Sequence, residues 1–212
     1  MKSDLHIHSL GDKYADDINI DDFSKVVLDD DDKNRIRTVV DWCCHNRGLD
    51  AVALTDHDMI QGSLYAAEYV KQTGLPIKII TGAECTVFDD TVPLGKSEVH
   101  LLCLGIDELP QYDRWTPVPT FIRRAHQLGA FVIMSHPIDS PDSFKCCWHL
   151  LDGYEYKNGH RLSFDKGKRI IGHREIPIAF CNSDFHYEGG DLPTTDLDKL
   201  NSNYYKVDPF RG

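Results

Sequence analysis

Residues 51–58 read Ala-Val-Ala-Leu-Thr-Asp-His-Asp, an unbroken apolar run that ends in titratable side chains. Short apolar runs of this kind are typical of strands covered on both faces, as in parallel sheets. A helix candidate follows at Gln61 to Gln72 and ends near Gly74, because glycine readily takes the left-handed conformation wanted after a helix. The stretch therefore predicts a strand at 51–55, a polar strand end and a helix in succession.

The same unit recurs along the chain. Other helix candidates are Lys33 to Arg47 and Val118 to Leu128, ended by Gly48 and Gly129. Alternating strands and helices predict parallel strands joined by right-handed crossovers. Seven units suggest a barrel over an open sheet, although periodicity alone leaves closure open. The remaining strand candidates are 3–7, 77–81, 99–104, 130–134, 153–156 and 177–181.

Composition narrows the classes of protein that need considering. With 212 residues, 41% of them hydrophobic, and no repeat or linker, the chain is expected to be one domain over 1–212. A net charge of −11 argues against a wide basic surface for nucleic acid. No apolar run could span a membrane and no secretory signal is visible, so a cytoplasmic protein is expected. The Asp29 to Asp32 run is predicted to be a solvated loop.

The seven cysteines include no Cys-x-x-Cys pair. An odd number without such spacing suits neither a disulfide framework nor a zinc ribbon. We therefore expect free, buried or half-buried thiols.

Metal-ligating residue types gather where strands are predicted to end. His6 and His8 are two positions apart on the first strand, which turns both imidazoles to the same side. Barrel enzymes build their sites at the C-terminal ends of strands. Titratable groups crowded at one rim would repel and desolvate each other without a cation among them, so a metal site is predicted. The other residues of this kind are His57, Glu84, His136, Asp184 and His186, and His100 lies at or near the start of the fourth predicted strand.

Six segments of the chain, which follow one another in the order given below, resemble those of the polymerase and histidinol phosphatase (PHP) family of metal-dependent phosphoesterases. The resemblance runs from His6 to His186 and implies a single-domain α/β fold, a distorted seven-stranded (β/α)7 TIM-like barrel. Residues 153–158 also look like a family segment, one that shapes the barrel. The six segments are Asp-Leu-His-Ile-His-Ser at 4–9, Leu-Thr-Asp-His-Asp at 54–58, Gly-Ala-Glu at 82–84, Val-His-Leu at 99–101, Ser-His-Pro at 135–137 and Ser-Asp-Phe-His at 183–186.

The resemblance implies three sets of metal ligands. The first ion would be held by His6, His8, Glu84 and Asp184. The second would be held by His57, His186 and a residue of the loop after His8. The third would be held by Glu84, His100 and His136, with Glu84 bridging to the first.

The loop ligand is where this chain departs from the family. Members usually place an Asp or His at the position that is Lys13 here. Asp12 is the favoured replacement, with Asp16 and Asp17 as alternatives for a longer loop.

Three neighbouring positions also carry expectations. Asn182 stands where the family often has Gly and is expected to matter little. Asp56 and Asp58 are expected to orient imidazoles without binding metal.

The mixed ligands predict two or three divalent ions, Mn²⁺, Zn²⁺ or Fe²⁺ rather than Mg²⁺. Such ions lower the pKa of a bridging water, and the resulting hydroxide could attack phosphorus. We therefore predict hydrolysis of a phosphomonoester or phosphodiester. The residues predicted to act in catalysis are His186, Asp12 and Asp184, with His186 or Asp12 protonating the leaving oxygen.

The acidic charge favours a small phosphorylated substrate or nucleotide over long nucleic acid, and leaves the oligomeric state open. The alternatives are a nuclease acting on oligonucleotide ends, an amidohydrolase-type enzyme and a non-catalytic partner module. Amidohydrolases normally carry a carboxylated Lys at a strand end, whereas Lys78 lies inside its predicted strand. A basic cluster could reach a substrate phosphate or form a solvated loop: Lys166, Lys168, Arg169, His173 and Arg174.

Overall fold

The computed structural model describes residues 1–11, 13–14, 26–89, 98–113, 115–136, 147–159, 178–189 and 192. The helices there are α1 (Asp30–His45), α2 (Gln61–Thr73) and α3 (Val118–Gln127), with a 3₁₀ turn at Trp148–Leu150. The strands are β1 (Ser3–His8), β2 (Ala51–Leu54), β3 (Lys78–Ile79), β4 (Gly82–Phe88), β5 (Glu98–Leu104), β6 (Phe131–Met134), β7 (Gly153–Asn158), β8 (Ile178–Asn182) and β9 (Phe185–His186).

Helix α1 begins three residues before the predicted start. The Asp29 carboxylate accepts from Asp32 N at 2.8 Å, and the Asp32 carboxylate accepts from Asp29 N at 3.1 Å. This reciprocal capping satisfies two backbone donors, and the acidic side chains favour the positive end of the helix dipole. The prediction of a solvated loop over Asp29 to Asp32 is therefore wrong, because the run starts a helix.

The strands form two sheets. One has four strands in the order β3-β2-β1-β9, all parallel. The other has five, β4-β5-β6-β7-β8, in which β5 runs antiparallel to both neighbours while β6, β7 and β8 are parallel. The fold is thus mixed α/β.

Parallel pairing throughout is a prediction that the structure contradicts at β5. Only residues 89–97 join β4 to β5, fewer than the dozen or more that a parallel crossover needs. The sequence reading also missed β4 as a strand, so Glu84 lies within a strand rather than after one.

Hydrogen bonds join the two sheets at two places. Near β1, Asp184 N donates to His6 O at 3.0 Å, just before β9 pairs with β1. Beyond the end of β2, Glu84 N donates to Thr55 O at 3.2 Å and Asp58 N donates to Glu84 O at 2.7 Å. The strand ends of one sheet are therefore held against the strands of the other.

Buried apolar side chains lie on both faces of the strands. Helix α3 packs over Cys85, Val87 and Leu101, whereas α1 and α2 pack over β1 and β2. A smaller cluster includes Leu102 and Leu104, which share one face of β5 with His100 because alternate residues of a strand point the same way. This apolar cluster lies beside the polar groups described next.

The six described cysteines are free thiols, as predicted. In this part of the chain no helix has the length and apolar character that crossing a bilayer requires.

Candidate metal centre

Glu84 on β4 is the middle of a buried polar cluster. Its carboxylate is fully buried, and each of its oxygens lies close to several ring nitrogens. Nitrogens of five imidazoles lie 3.2 to 3.5 Å from a Glu84 oxygen: His6, His8, His57, His100 and His136.

Asp184, in the short link between β8 and β9, closes the cluster from the other side. Its Oδ1 lies 3.2 Å from His6 Nε2 and 3.4 Å from His8 Nε2, and those two nitrogens are 3.0 Å apart. The His186 ring stacks on His8 with centroids 4.1 Å apart. Its Nδ1 lies 3.0 Å from Asp184 O.

The structure thus brings eight of the nine predicted ligands into one cluster. The ninth, Asp12, lies outside the described residues, as do its alternatives Asp16 and Asp17 and the basic cluster at 166–174. His100 joins because β5 is reversed: its beginning lies beside the end of β6, where Ser135 N donates to His100 O.

These residues fit a divalent cation. Ligand atoms at about 2.0–2.2 Å from one ion lie about 3 to 3.5 Å from each other, whether the geometry is octahedral or tetrahedral. The distances above fall in that range. Moreover, His8 Nδ1 is buried with no hydrogen-bond partner among the described residues, an arrangement that costs free energy unless a cation compensates.

Four groups of residues have ligand atoms close enough to share an ion. The combination His6, His8 and Glu84 contains three of the four residues of the first predicted set. Each of the others contains two residues of one predicted set together with one residue of another. They are His8 with His57 and His186, His6 with His136 and Asp184, and His57 with Glu84 and His100.

Electrostatics divides the imidazoles into two kinds. Burial disfavours charge on His6, but Asp184, Glu84 and Glu155 outweigh it and raise its pKa. Burial is likewise outweighed at His100, where Glu84 raises the pKa to about 10. Burial dominates at His57, and with the neighbouring imidazoles it lowers the pKa to about 2.

The central carboxylates stay charged. Burial opposes ionisation of Glu84, but His6 and His100 hold its pKa well below the ordinary value. The pKa of Asp184 is also lowered, because His6 and His8 outweigh the cost of burying its charge. The cluster therefore keeps negative charge at its middle, which favours a cation there.

Glu155 on β7 is a site residue that the sequence analysis missed. Its buried carboxylate lies 2.9 Å from His6 Nδ1 and accepts from His136 N at 2.8 Å. It also accepts from Asn158 Nδ2 at 2.9 Å and Asn182 Nδ2 at 2.8 Å. Because a carboxylate only accepts, the His6 proton belongs on Nδ1, which leaves Nε2 for the cluster.

Asn182 has a larger part than expected. Its buried side chain accepts from Leu5 N at 3.0 Å while donating to Glu155, so it links β8 to β1 and β7. The neighbouring Ser183 N donates to Asp4 at 3.0 Å. A glycine could not make the side-chain bonds that hold the strand just before Asp184.

Asp56 and Asp58 accept hydrogen bonds from the segments around the cluster, and that they also orient imidazoles stays a prediction. Asp56 accepts from Ser9 Oγ at 2.8 Å and Leu10 N at 2.9 Å, which fixes the loop after His8. Asp58 accepts from Thr86 N at 2.7 Å and from the Tyr112 hydroxyl. Both carboxylates therefore hold the backbone that carries the cluster.

Lys13 stands at the position where the family usually has a ligand. Its ammonium pairs with Asp32 and, at 3.3 Å, with Asp29, while the Tyr14 hydroxyl donates to Asp32 at 2.8 Å. The loop after His8 is thereby attached to the start of α1.

Comparison with solved structures shows a shared fold. The chain is similar to an amidohydrolase from Chromobacterium violaceum, solved with sulfate and no metal, at a TM-score of 0.54 and 17% identity over 77% of this chain and 89% of that one. It is also similar to a protein from Bifidobacterium adolescentis proposed to be a metal-dependent phosphoesterase, at a TM-score of 0.58 and 16% identity over 95% of each chain.

No protein-family model matches the sequence, and no curated protein matches it. Fold and site together define the chain as a mixed α/β protein with a buried cluster of histidines and carboxylates that could hold metal ions.

Proposed function

We propose that this chain is a metal-dependent phosphoesterase of the PHP type, acting on a phosphomonoester or phosphodiester of small size. The observation that carries the proposal is the Glu84 carboxylate, which lies within 3.5 Å of five imidazoles beside Asp184. One shared carboxylate can bridge two ions, and clustered ions suit phosphoryl transfer.

The proposed architecture is a distorted seven-stranded barrel that closes around the cluster. The nine strands would fill seven positions, because β3 and β4 together form one interrupted strand and β8 and β9 form another. Its support is the hydrogen bonding between the sheets at Thr55–Glu84 and at His6–Asp184. The extent of the domain, 1–212, remains a prediction.

Two or three ions of Mn²⁺, Zn²⁺ or Fe²⁺ are proposed, since imidazole and carboxylate together suit these metals. When bound, they would polarise phosphoryl oxygens and lower the pKa of a water. The ligands would be His6, His8, His57, Glu84, His100, His136, Asp184 and His186, with Asp12 supplied by the loop after His8.

His186 or Asp12 is also proposed to donate a proton to the leaving oxygen. Because His186 Nδ1 bonds to Asp184 O, its Nε2 can donate a proton only when it is not binding metal. Its side chain is 19% exposed, whereas those of His6 and His8 are fully buried. It therefore lies on the solvent side of the cluster, where a leaving group can depart. Asp184, through its main-chain oxygen, holds the His186 ring in place.

The amidohydrolase alternative is less well supported by the residues present. Lys78, in β3, is exposed at the beginning of its strand, whereas the amidohydrolase lysine lies at a strand end beside the metal. A small phosphorylated molecule or a nucleotide is the proposed substrate, and cleavage of oligonucleotide ends is the alternative that the assay must separate.

The test combines metal analysis with a phosphatase screen. Purified protein would be assayed with Mn²⁺, Zn²⁺ or Fe²⁺ on an aryl phosphate, nucleotides, ribose 5-phosphate and a short oligonucleotide. Glu84→Ala should lower both the bound metal and kcat/KM at least about 100-fold, because one group serves several ions.

Glu68→Ala is the matched control, since Glu68 is an exposed glutamate on α2. It should behave as the unaltered protein. Full metal content and turnover in Glu84→Ala would refute the proposed centre.

A further inference from the structure

One tryptophan of this chain is exposed to solvent at the end of β4, the strand that carries Glu84. Trp42 and Trp148 are buried, whereas Trp115 is 70% exposed. Its ring stacks on Phe88, with centroids 4.7 Å apart and planes inclined by 24°. An exposed indole backed by a second ring offers its outer face to a flat ligand.

The register of the strands places this pair on the face of β4 that carries the cluster. Glu84, Thr86 and Phe88 alternate along one face of the strand, while Val87 points into the core beneath α3. Thr86 pairs with His100 on β5, and Phe88 pairs with the next residue on that face, Glu98. The Phe88 backbone is therefore about 7 Å along the strand from the level of His100.

The segment that carries Trp115 is held by hydrogen bonds. Trp115 N donates to Asp113 Oδ1 at 2.9 Å, and Thr116 N donates to Asp113 O at 3.0 Å. Pro117, immediately before α3, forms a β-bridge with Phe88. The indole thus projects from an ordered turn, which lowers the entropic cost of binding a ring there.

We propose that Trp115 and Phe88 form a stacking platform for the aromatic ring of a phosphorylated substrate, whose phosphate lies at the metal centre. This rests on the proposed function for the phosphate end. The ring would be a nucleobase or an aryl group, because stacking recognises any flat π-face. A platform of one exposed ring matches one small ligand, whereas a protein interface needs roughly 800 Å² on each partner.

Intrinsic fluorescence tests binding without any need for turnover. Because Trp42 and Trp148 are buried, quenching by a ligand in a sample loaded with Zn²⁺ should come from Trp115. Adenosine 5′-phosphate and phenyl phosphate should both quench, and ribose 5-phosphate should not. Trp115→Phe, which removes this fluorophore, should abolish the response and so controls for absorption of light by the ligand.

Kinetics with added metal tests the same platform in catalysis. Trp115→Ala should lower the ratio of kcat/KM for adenosine 5′-phosphate to that for ribose 5-phosphate roughly 5- to 100-fold. Trp115→Phe should restore most of the ratio, because it keeps an aromatic ring. Val27→Ala, an exposed apolar position elsewhere, should leave it unchanged.

The outcomes separate the two proposals. Hydrolysis of phosphate esters with no quenching and an unchanged ratio in Trp115→Ala would overturn the platform and leave the proposed function standing. Quenching by aromatic ligands without hydrolysis of any ester would support the platform and overturn the proposed function. Quenching by adenosine 5′-phosphate alone would show that the platform binds a nucleobase. Quenching by both ligands would show that it binds aromatic rings in general.

Discussion

At the scale of single residues, the four hydrogen bonds of Glu155 explain why a carboxylate is needed at that position. The groups that face it are the His6 ring, the His136 backbone amide and the side chains of Asn158 and Asn182. A carboxylate has about four lone-pair sites and can accept from all of them. A glutamine has one oxygen, and its NH₂ group is itself a donor. At least one of the four donating groups would therefore face this NH₂ group and lose its hydrogen bond.

Glu155→Gln should therefore weaken metal binding roughly 10- to 100-fold, the effect typical of losing a group that orients a ligand. Titration with Co²⁺, followed by its visible absorption, measures the affinity and reports on ligand geometry. Glu68→Gln makes the same chemical change on an exposed helix surface and should bind as the unaltered protein. Unchanged affinity and spectrum in Glu155→Gln would show that the network does not position His6.

The histidines also predict how the metal-free protein responds to pH. The pKa values of His6, His8 and His100 are raised from 6.5, that of His100 to about 10. A raised pKa adds stability that is fully present below the unfolded value and is lost as pH rises through the folded value. The lowered pKa values of Glu84 and Asp184 add stability that is lost only in acid.

The Tm of chelator-treated protein should accordingly fall between pH 6.5 and pH 10, as measured by calorimetry. The fall should be smaller in Glu84→Gln, where the carboxylate that raises the pKa of His100 is gone. With metal present the trend should weaken or reverse, because protons compete with metal for the same nitrogens. A Tm that rises with pH in the metal-free protein would contradict this account of the charges.

At the scale of elements, the start of α1 and the loop after His8 depend on one buried carboxylate. The Asp32 carboxylate accepts hydrogen bonds from Asp29 N and the Tyr14 hydroxyl, and it forms a salt bridge with Lys13. Asp30 lies in the same helical turn with its side chain fully exposed. Comparing substitutions at Asp30 and Asp32 therefore separates the general effect of an acidic residue at a helix start from the effect of the hydrogen bonds made to Asp32.

Asp32→Ala should lower the free energy of unfolding by roughly 1–3 kcal/mol, since the backbone donor of the cap and the Tyr14 hydroxyl lose their partner. Asp30→Ala should cost much less than Asp32→Ala, because solvent screens the attraction of an exposed carboxylate to the helix dipole. Urea denaturation measures both. Equal losses in the two variants would mean that the network adds nothing beyond the charge.

At the scale of the whole molecule, the candidate metal centre draws side chains from both sheets. His6 and His8 come from the four-stranded sheet, whereas Glu84 and His100 come from the five-stranded one. A cation bound among them would hold the sheets together. Anything that binds only the folded state stabilises it, by about 2.7 kcal/mol at a ligand concentration 100 times the Kd.

Added Mn²⁺ or Zn²⁺ should therefore raise the Tm in thermal unfolding, and a chelator should reverse the rise. The shift should be lost in Glu84→Ala and kept in Glu68→Ala. A Tm that is indifferent to these ions in the unaltered protein would argue against a structural link between the sheets through metal.

The sequence by itself determined the helices to within a few residues, most strands and the residue types of the site. These depend on local features: apolar runs, glycines after helices, and histidines two residues apart on a strand. The His6–His8 pair is an example, because strand alternation alone turns both rings the same way.

Only the tertiary structure decided the reversed direction of β5, the approach of His57 to Glu84, and the parts played by Glu155 and Asn182. Glu155 lies 149 positions from His6, and Asn182 lies 177 positions from Leu5. No local pattern encodes such partners. They are set by which strands become neighbours, and a buried polar group can be satisfied only by the atoms that packing brings to it.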